Sequence, residues 1–120
     1  MAGLEIKSLS SPDETRPFAG KGHADVFSLG AGTVLKSIHE PGWRWSEHVK
    51  PIAGTDSCQA THLAYVISGH LHVEMDDGTE GELAPGDICS IAPGHDAWTV
   101  GDEPCVVVDF GRIEGYAKRG

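Results

Sequence analysis

Glycine and proline punctuate this chain so often that no helix of ordinary length has room to form. Sixteen glycines and seven prolines are spread through 120 residues, and from Gly22 to Gly111 they cut nearly every apolar run after a few positions. Proline breaks a helix or an inner sheet ladder, and glycine inside a helix costs about 0.5–1 kcal/mol relative to alanine. Short strands joined by tight turns suit this cadence.

Runs rich in strand formers occur at 24–29, 32–39, 58–68, 71–75, 79–83, 87–91, 98–100 and 105–110. Between them lie Gly30-Ala31-Gly32, Pro41-Gly42, Gly69, Asp76-Asp77-Gly78, Pro85-Gly86, Ala92-Pro93-Gly94 and Gly101-Asp102-Glu103-Pro104. Asp76-Asp77-Gly78 is a strong hairpin signal, because its last residue accepts positive φ. No window carries a helical stripe apart from a weak tail after Gly111. Eight or so short strands at this spacing predict a single all-β barrel or jelly roll. The expected organisation is a polar N-terminal arm over 1–22, the barrel over 23–112 and a tail over 113–120. Residues 43–55 stand apart, with two tryptophans and breaks at Pro51 and Gly54.

Nine basic residues against eighteen acidic ones give a net charge of −9, which repels phosphate backbones and argues against nucleic-acid binding. No stretch approaches the roughly 20 apolar residues of a membrane span. The first residues lack a basic cluster followed by an apolar run, so a cytoplasmic location is expected. Cys58, Cys89 and Cys105 are odd in number and irregularly spaced, unlike a disulfide framework or a structural zinc cluster.

Tyr65-Val66-Ile67-Ser68-Gly69, then Asp76-Asp77-Gly78, then Pro85-Gly86-Asp87 through Ala92-Pro93-Gly94 resemble the two boxes of the cupin superfamily. The resemblance covers about residues 32–110, and its spacing is the specific part. It implies a cupin-type double-stranded β-helix, a jelly-roll barrel that is often a homodimer and often holds a divalent metal in its mouth. Metal-binding members supply two histidines and a glutamate from the first box and a histidine from the second. Counting back from Gly69, the glutamate position holds His62, and the paired-histidine positions hold Asp56 and Cys58. Counting forward from Gly42 instead, the first histidine falls on His48. The second-box position holds Ala97, with His95 two residues earlier. Pro-Gly-Trp-Arg-Trp-Ser-Glu, Gly-Thr-Asp-Ser-Cys and Pro-Gly-His-Asp-Ala-Trp also resemble a narrower group of small acidic cupins.

Strand geometry bears on the same residues independently. With a period of two, Cys58, His62, Ala64 and Val66 share one face. Ala64 and Val66 belong inside, so the thiol and the imidazole point inward, as soft ligands for zinc, iron or copper. The competing expectation is a buried histidine bonded to a backbone carbonyl, with Cys58 as a small hydrophobe. His95, at the rim, is a ligand or proton carrier if it turns inward, and a turn residue bonded to Asp96 if it does not. His70 and His72 mimic a metal pair, but alternation with Leu71, Val73 and Met75 puts them in solvent. Glu47 is a candidate general base, and His48 a candidate ligand, unless both lie on an inserted surface loop. Trp43, Trp45 and Trp98 are candidates for the wall of a ligand pocket. Cys89 and Cys105 read as packed.

The expected function is a barrel that binds a divalent transition metal (zinc, iron, nickel or manganese) and a small polar molecule in its mouth. The alternative is a metal-free, non-catalytic ligand-binding or sensing module. The fold alone does not choose between them.

Overall fold

A computed structural model describes residues 3–119. Its strands are β1 (Glu14–Pro17), β2 (Gly22–Leu29), β3 (Gly32–His39), β4 (His62–Ser68), β5 (His70–Met75), β6 (Glu80–Leu83), β7 (Ile88–Ile91), β8 (His95–Val100) and β9 (Cys105–Asp109). Two antiparallel sheets face each other, one in the order β1-β2-β3-β9-β4-β7 and the other β6-β5-β8. This is the jelly-roll architecture expected from the turn cadence.

The turns do what their residues predict. β2 and β3 are paired in register from Gly22↔His39 to Leu29↔Gly32, leaving Gly30 and Ala31 as the connection. At Gly78, φ is +93° and the amide donates to the Met75 carbonyl at 2.9 Å, closing the β5–β6 hairpin. Gly69, with φ of +76°, turns β4 into β5 where a Cβ would collide with the Pro104 carbonyl and the Cys105 backbone. Here both the conformation and the close approach require glycine.

Alternation places the core. On β4, Ala64 and Val66 are buried while Leu63, Tyr65 and Ile67 are exposed. Leu35 and Val107 pack from the larger sheet, and Leu71, Val73 and Ala97 from the smaller one. β9 lies between β3 and β4, so Asp109 is opposite Leu35 on one side and Ala64 on the other.

Several features refine or correct the sequence expectations: the strand expected over 58–68 begins at His62, with Cys58 in an isolated bridge to His95. Within the arm, β1 adds to the sheet edge beside β2. Arg16 then donates to the Glu114 and Tyr116 carbonyls at 2.8 and 2.9 Å, tying the tail to the arm, and the tail buries Ile113 and Ala117. The 43–55 segment holds two single helical turns, α1 (Trp45–His48) and α2 (Lys50–Ala53), which bury Trp45 and Val49. One turn is too short to leave a periodic stripe. Finally, β8 begins at His95 rather than Trp98. Its start is fixed by a reciprocal pair in which Cys58 N–H donates to the His95 carbonyl and Gly94 N–H to the Cys58 carbonyl, each at 2.7 Å. Among the described residues no helix is long and apolar enough to cross a membrane.

Candidate metal and ligand site

Cys58 and His95 face each other across an isolated antiparallel bridge, and His62 opens β4 on the inward phase. The Gly94 turn, at φ of +94°, lets the chain reverse so that His95 points inward. The three potential ligand atoms all lie within 4.8 Å of one another. Cys58 Sγ is 3.7 Å from His62 Nε2, and the His62 and His95 rings meet edge to face with centroids 5.1 Å apart.

Each imidazole is oriented through its other nitrogen. Nδ1 of His62 bonds the Asp109 carboxylate, which also accepts from the Leu63 and Gly111 amides at 3.2 and 2.9 Å. Nδ1 of His95 lies 2.8 Å from the Ala92 carbonyl and donates to it. Nε2 of both rings is thereby turned toward Cys58. An outer-shell carboxylate or carbonyl on the remote nitrogen is how proteins fix metal-binding histidines.

The electrostatics follow from burial and pairing. Burial opposes a thiolate at Cys58, but hydrogen bonds from His62 and His95 outweigh it and lower the thiol from 9.0 to about 6. Burial likewise disfavours protonated His62, yet its bonds to Asp109 and Cys58 raise it from 6.5 to about 9. Both shifts favour the thiolate–imidazolium form of the pair. Cys105 is pushed up to about 12 by burial, then by Cys89, and Cys89 itself is raised by burial. Both are packed thiols.

The donor set fits a divalent transition metal. A thiolate and two oriented imidazoles make three protein ligands with a fourth position free, the pattern of catalytic zinc. The 3.7 Å separation of Sγ and Nε2 is near the edge length of roughly 3.5 Å in a tetrahedron with ordinary zinc bonds. Sulfur and imidazole suit zinc, iron or nickel and suit manganese least.

Beside the three residues is a cavity of about 50 Å³, lined among others by Ser37, His39, Trp43, Trp45 and Tyr116. It has room for a few waters or a very small ligand. Among the described residues the buried Trp43 and Trp45 indole N–H groups meet no acceptor, a cost of roughly 1–3 kcal/mol each where no partner is supplied. His39 stands on β3 with Nδ1 3.0 Å from the Cys105 carbonyl. Burial lowers it from 6.5 to about 4, so the ring is neutral, Nδ1 donates, and Nε2 is left as an acceptor. Burial, and then the charges of Cys58 and Asp109, hold the Tyr116 phenol well above its ordinary value.

Other residues singled out by sequence lie elsewhere. His48 spends Nδ1 on the Arg44 backbone, 3.0 Å from its amide, and is outside the cluster because its helical turn faces Gly20. Glu47 is two-thirds exposed beside Arg44 and does not line the cavity. Trp98 occupies the outward phase of β8, stacked on His72 at 4.7 Å with the Arg44 guanidinium 4.1 Å from its ring, so Ala97 takes the cavity side. His72 binds Glu80 on that same outer wall. Sequence reading passed over three residues near the cluster. Asp109 and His39 had a faint signal, since inward alternation runs Cys105, Val107, Asp109 and Leu35, Ser37, His39. Tyr116, in an aperiodic tail, had none.

No protein-family model matches the chain, and no curated protein matches it either. Solved structures do. A Klebsiella pneumoniae protein with a double-stranded β-helix domain shares 23% identity at a TM-score of 0.59, covering 98% of this chain and 94% of that one. A sugar phosphate isomerase from a cupin superfamily, from Silicibacter pomeroyi, shares 21% at 0.61, covering 90% and 75%. An RmlC-like cupin from Shewanella frigidimarina shares 14% at 0.60, covering 93% and 94%. Strand order, paired sheets and these likenesses agree: the chain has the double-stranded β-helix fold of the cupins.

Proposed function

We propose that the barrel binds one divalent transition metal through Cys58, His62 and His95 and presents it to a small polar metabolite. The observation that carries this reading is the convergence of the three ligand atoms, with Asp109 and the Ala92 carbonyl holding the remote nitrogens. When bound, such an ion supplies Lewis acidity toward a carbonyl or a water.

The chain's own groups do the rest. Asp109 keeps the His62 ring in place, and the proton on His62 Nε2 must leave before that nitrogen can act as a ligand. Trp43 and Trp45 wall the cavity and keep bulk water out, while neutral His39 offers Nε2 to a ligand hydroxyl. A neighbour described as a sugar phosphate isomerase supports a small-molecule ligand. A cytoplasmic homodimer completes the reading. In support of the dimer, Tyr65 and Ile88 are register partners on the outer face and exposed, with Leu63 and Ile67 beside them. An apolar patch of this kind marks a partner surface.

The test is metal analysis of the purified protein beside His62→Ala. One equivalent of zinc, iron or nickel, lost in the variant, is the expected result. A wild-type protein that stays metal-free when offered these ions favours the non-catalytic binding module instead.

A further inference from the structure

The inner cavity is not the only concavity at this site. A larger one, of about 300 Å³, lies on the other side of Trp45, Cys58 and Tyr116, which line both spaces. Its remaining wall comes from Val49, from Ile52 of α2, from Ala60 in the stretch before β4, and from the tail. The charged residues that line it are Lys118 and Arg112, and no carboxylate does so among the described residues.

In a chain of net charge −9 this local reversal of sign stands out. Neither cation has an ion pair within 4.0 Å among the described residues. The carboxylate that senses Lys118 is Glu14, which already bonds Arg16 at 2.9 Å. The Arg112 amide donates to the Thr61 carbonyl at 2.8 Å, which anchors that residue beside the start of β4. Cations without a direct ion-pair partner in a concave, partly apolar wall focus a positive potential and gather anions against the field of the rest of the surface.

We propose that this outer cavity is an anion-binding vestibule, in which Arg112 and Lys118 hold the carboxylate or phosphate of a small ligand while its other end lies against Trp45 and Cys58. This names the charge of the polar metabolite proposed above and rests on that reading for its orientation toward the metal ligands. Carboxylate and phosphate share the chemistry these two cations recognise, with arginine able to engage either through two parallel hydrogen bonds. The apolar residues of the wall add room for a carbon skeleton.

The experiment is calorimetric titration of the metal-loaded protein with inorganic phosphate, gluconate and, as a neutral control, glucose at low ionic strength. The same titrations are run on Arg112→Gln/Lys118→Gln, on Lys118→Gln alone and on His62→Ala, each with its metal content measured. Saturable binding of at least one anion is expected, with none for glucose, and preference between the two anions identifies the headgroup. The double variant is expected to bind at least about tenfold more weakly, and Lys118→Gln to fall between, with metal content unchanged in both. His62→Ala is expected to lose metal yet still bind the anion. Equal anion affinity in wild type and double variant, or no saturable binding of either anion, overturns the vestibule. Loss of metal stoichiometry in the wild type is a separate failure, belonging to the metal reading alone.

Discussion

Two histidine–carboxylate pairs occupy opposite walls of the same barrel, and their contrast shows what burial adds to a common contact. His62 bonds Asp109 inside, where the side chains are 13% and 5% exposed. His72 bonds Glu80 outside at 2.7 Å, where they are 23% and 50% exposed. The inner carboxylate is spoken for on every side, since two backbone amides and one imidazole surround it. The outer pair is open to water and to salt. Coulombic interactions that are screened at a surface persist in the interior, and there the bond to Asp109 helps to raise His62.

Breaking the inner pair should have the larger consequences. His62→Ala should abolish stoichiometric metal binding and remove one of the two imidazoles that lower Cys58, so the thiol titrates nearer its ordinary 9.0. Alkylation rate against pH reads that change, and a rate profile that still turns near pH 6 contradicts it. Asp109→Asn leaves the ligands in place but removes the charge that orients His62. Metal affinity should fall about 10–100-fold, measured by competition with a chromophoric chelator, and unchanged affinity would mean that Asp109 is only structural.

A third, smaller effect separates the interior from the surface by acid alone. Buried His39 titrates near pH 4 when folded and near 6.5 when unfolded. Between those values the unfolded chain holds the extra proton, so stability falls as pH drops from 6.5 to about 4, by up to about 3 kcal/mol for this one group. Urea unfolding of His39→Gln across that window should show a flatter profile than wild type, and parallel profiles refute the assignment. The smallest effect belongs to the outer pair. His72→Ala should cost under about 1 kcal/mol and leave metal content untouched. Should metal content fall instead, the solvent-facing role of the His70–His72 pair is wrong.

The legibility of these residues followed the range of the interactions that place them. Turns and alternation are local, so the strand cadence, the solvent-facing His70 and His72 and the inward phase of Cys58 and His62 could be read directly. Asp109 meets His62 across 47 positions because β9 inserts between β3 and β4, an order that no hairpin signal encodes. Trp98 shares its residue type with Trp43 and Trp45, but the phase set at His95 sends it outward. His48 and Glu47 belong to a short segment whose single helical turns leave no period to read. Tyr116 reaches the cavity on a tail held by contacts distant in sequence, among them Arg16 to its carbonyl and the Arg112 amide to Thr61.

In the proposed site one sulfur and two imidazoles converge on a single ion. X-ray absorption at the metal edge of the zinc-loaded protein measures that shell directly. The account predicts one sulfur near about 2.3 Å and two imidazole nitrogens near about 2.0–2.1 Å, with the sulfur absent in Cys58→Ser. A first shell made only of nitrogen and oxygen, identical in wild type and Cys58→Ser, would contradict it.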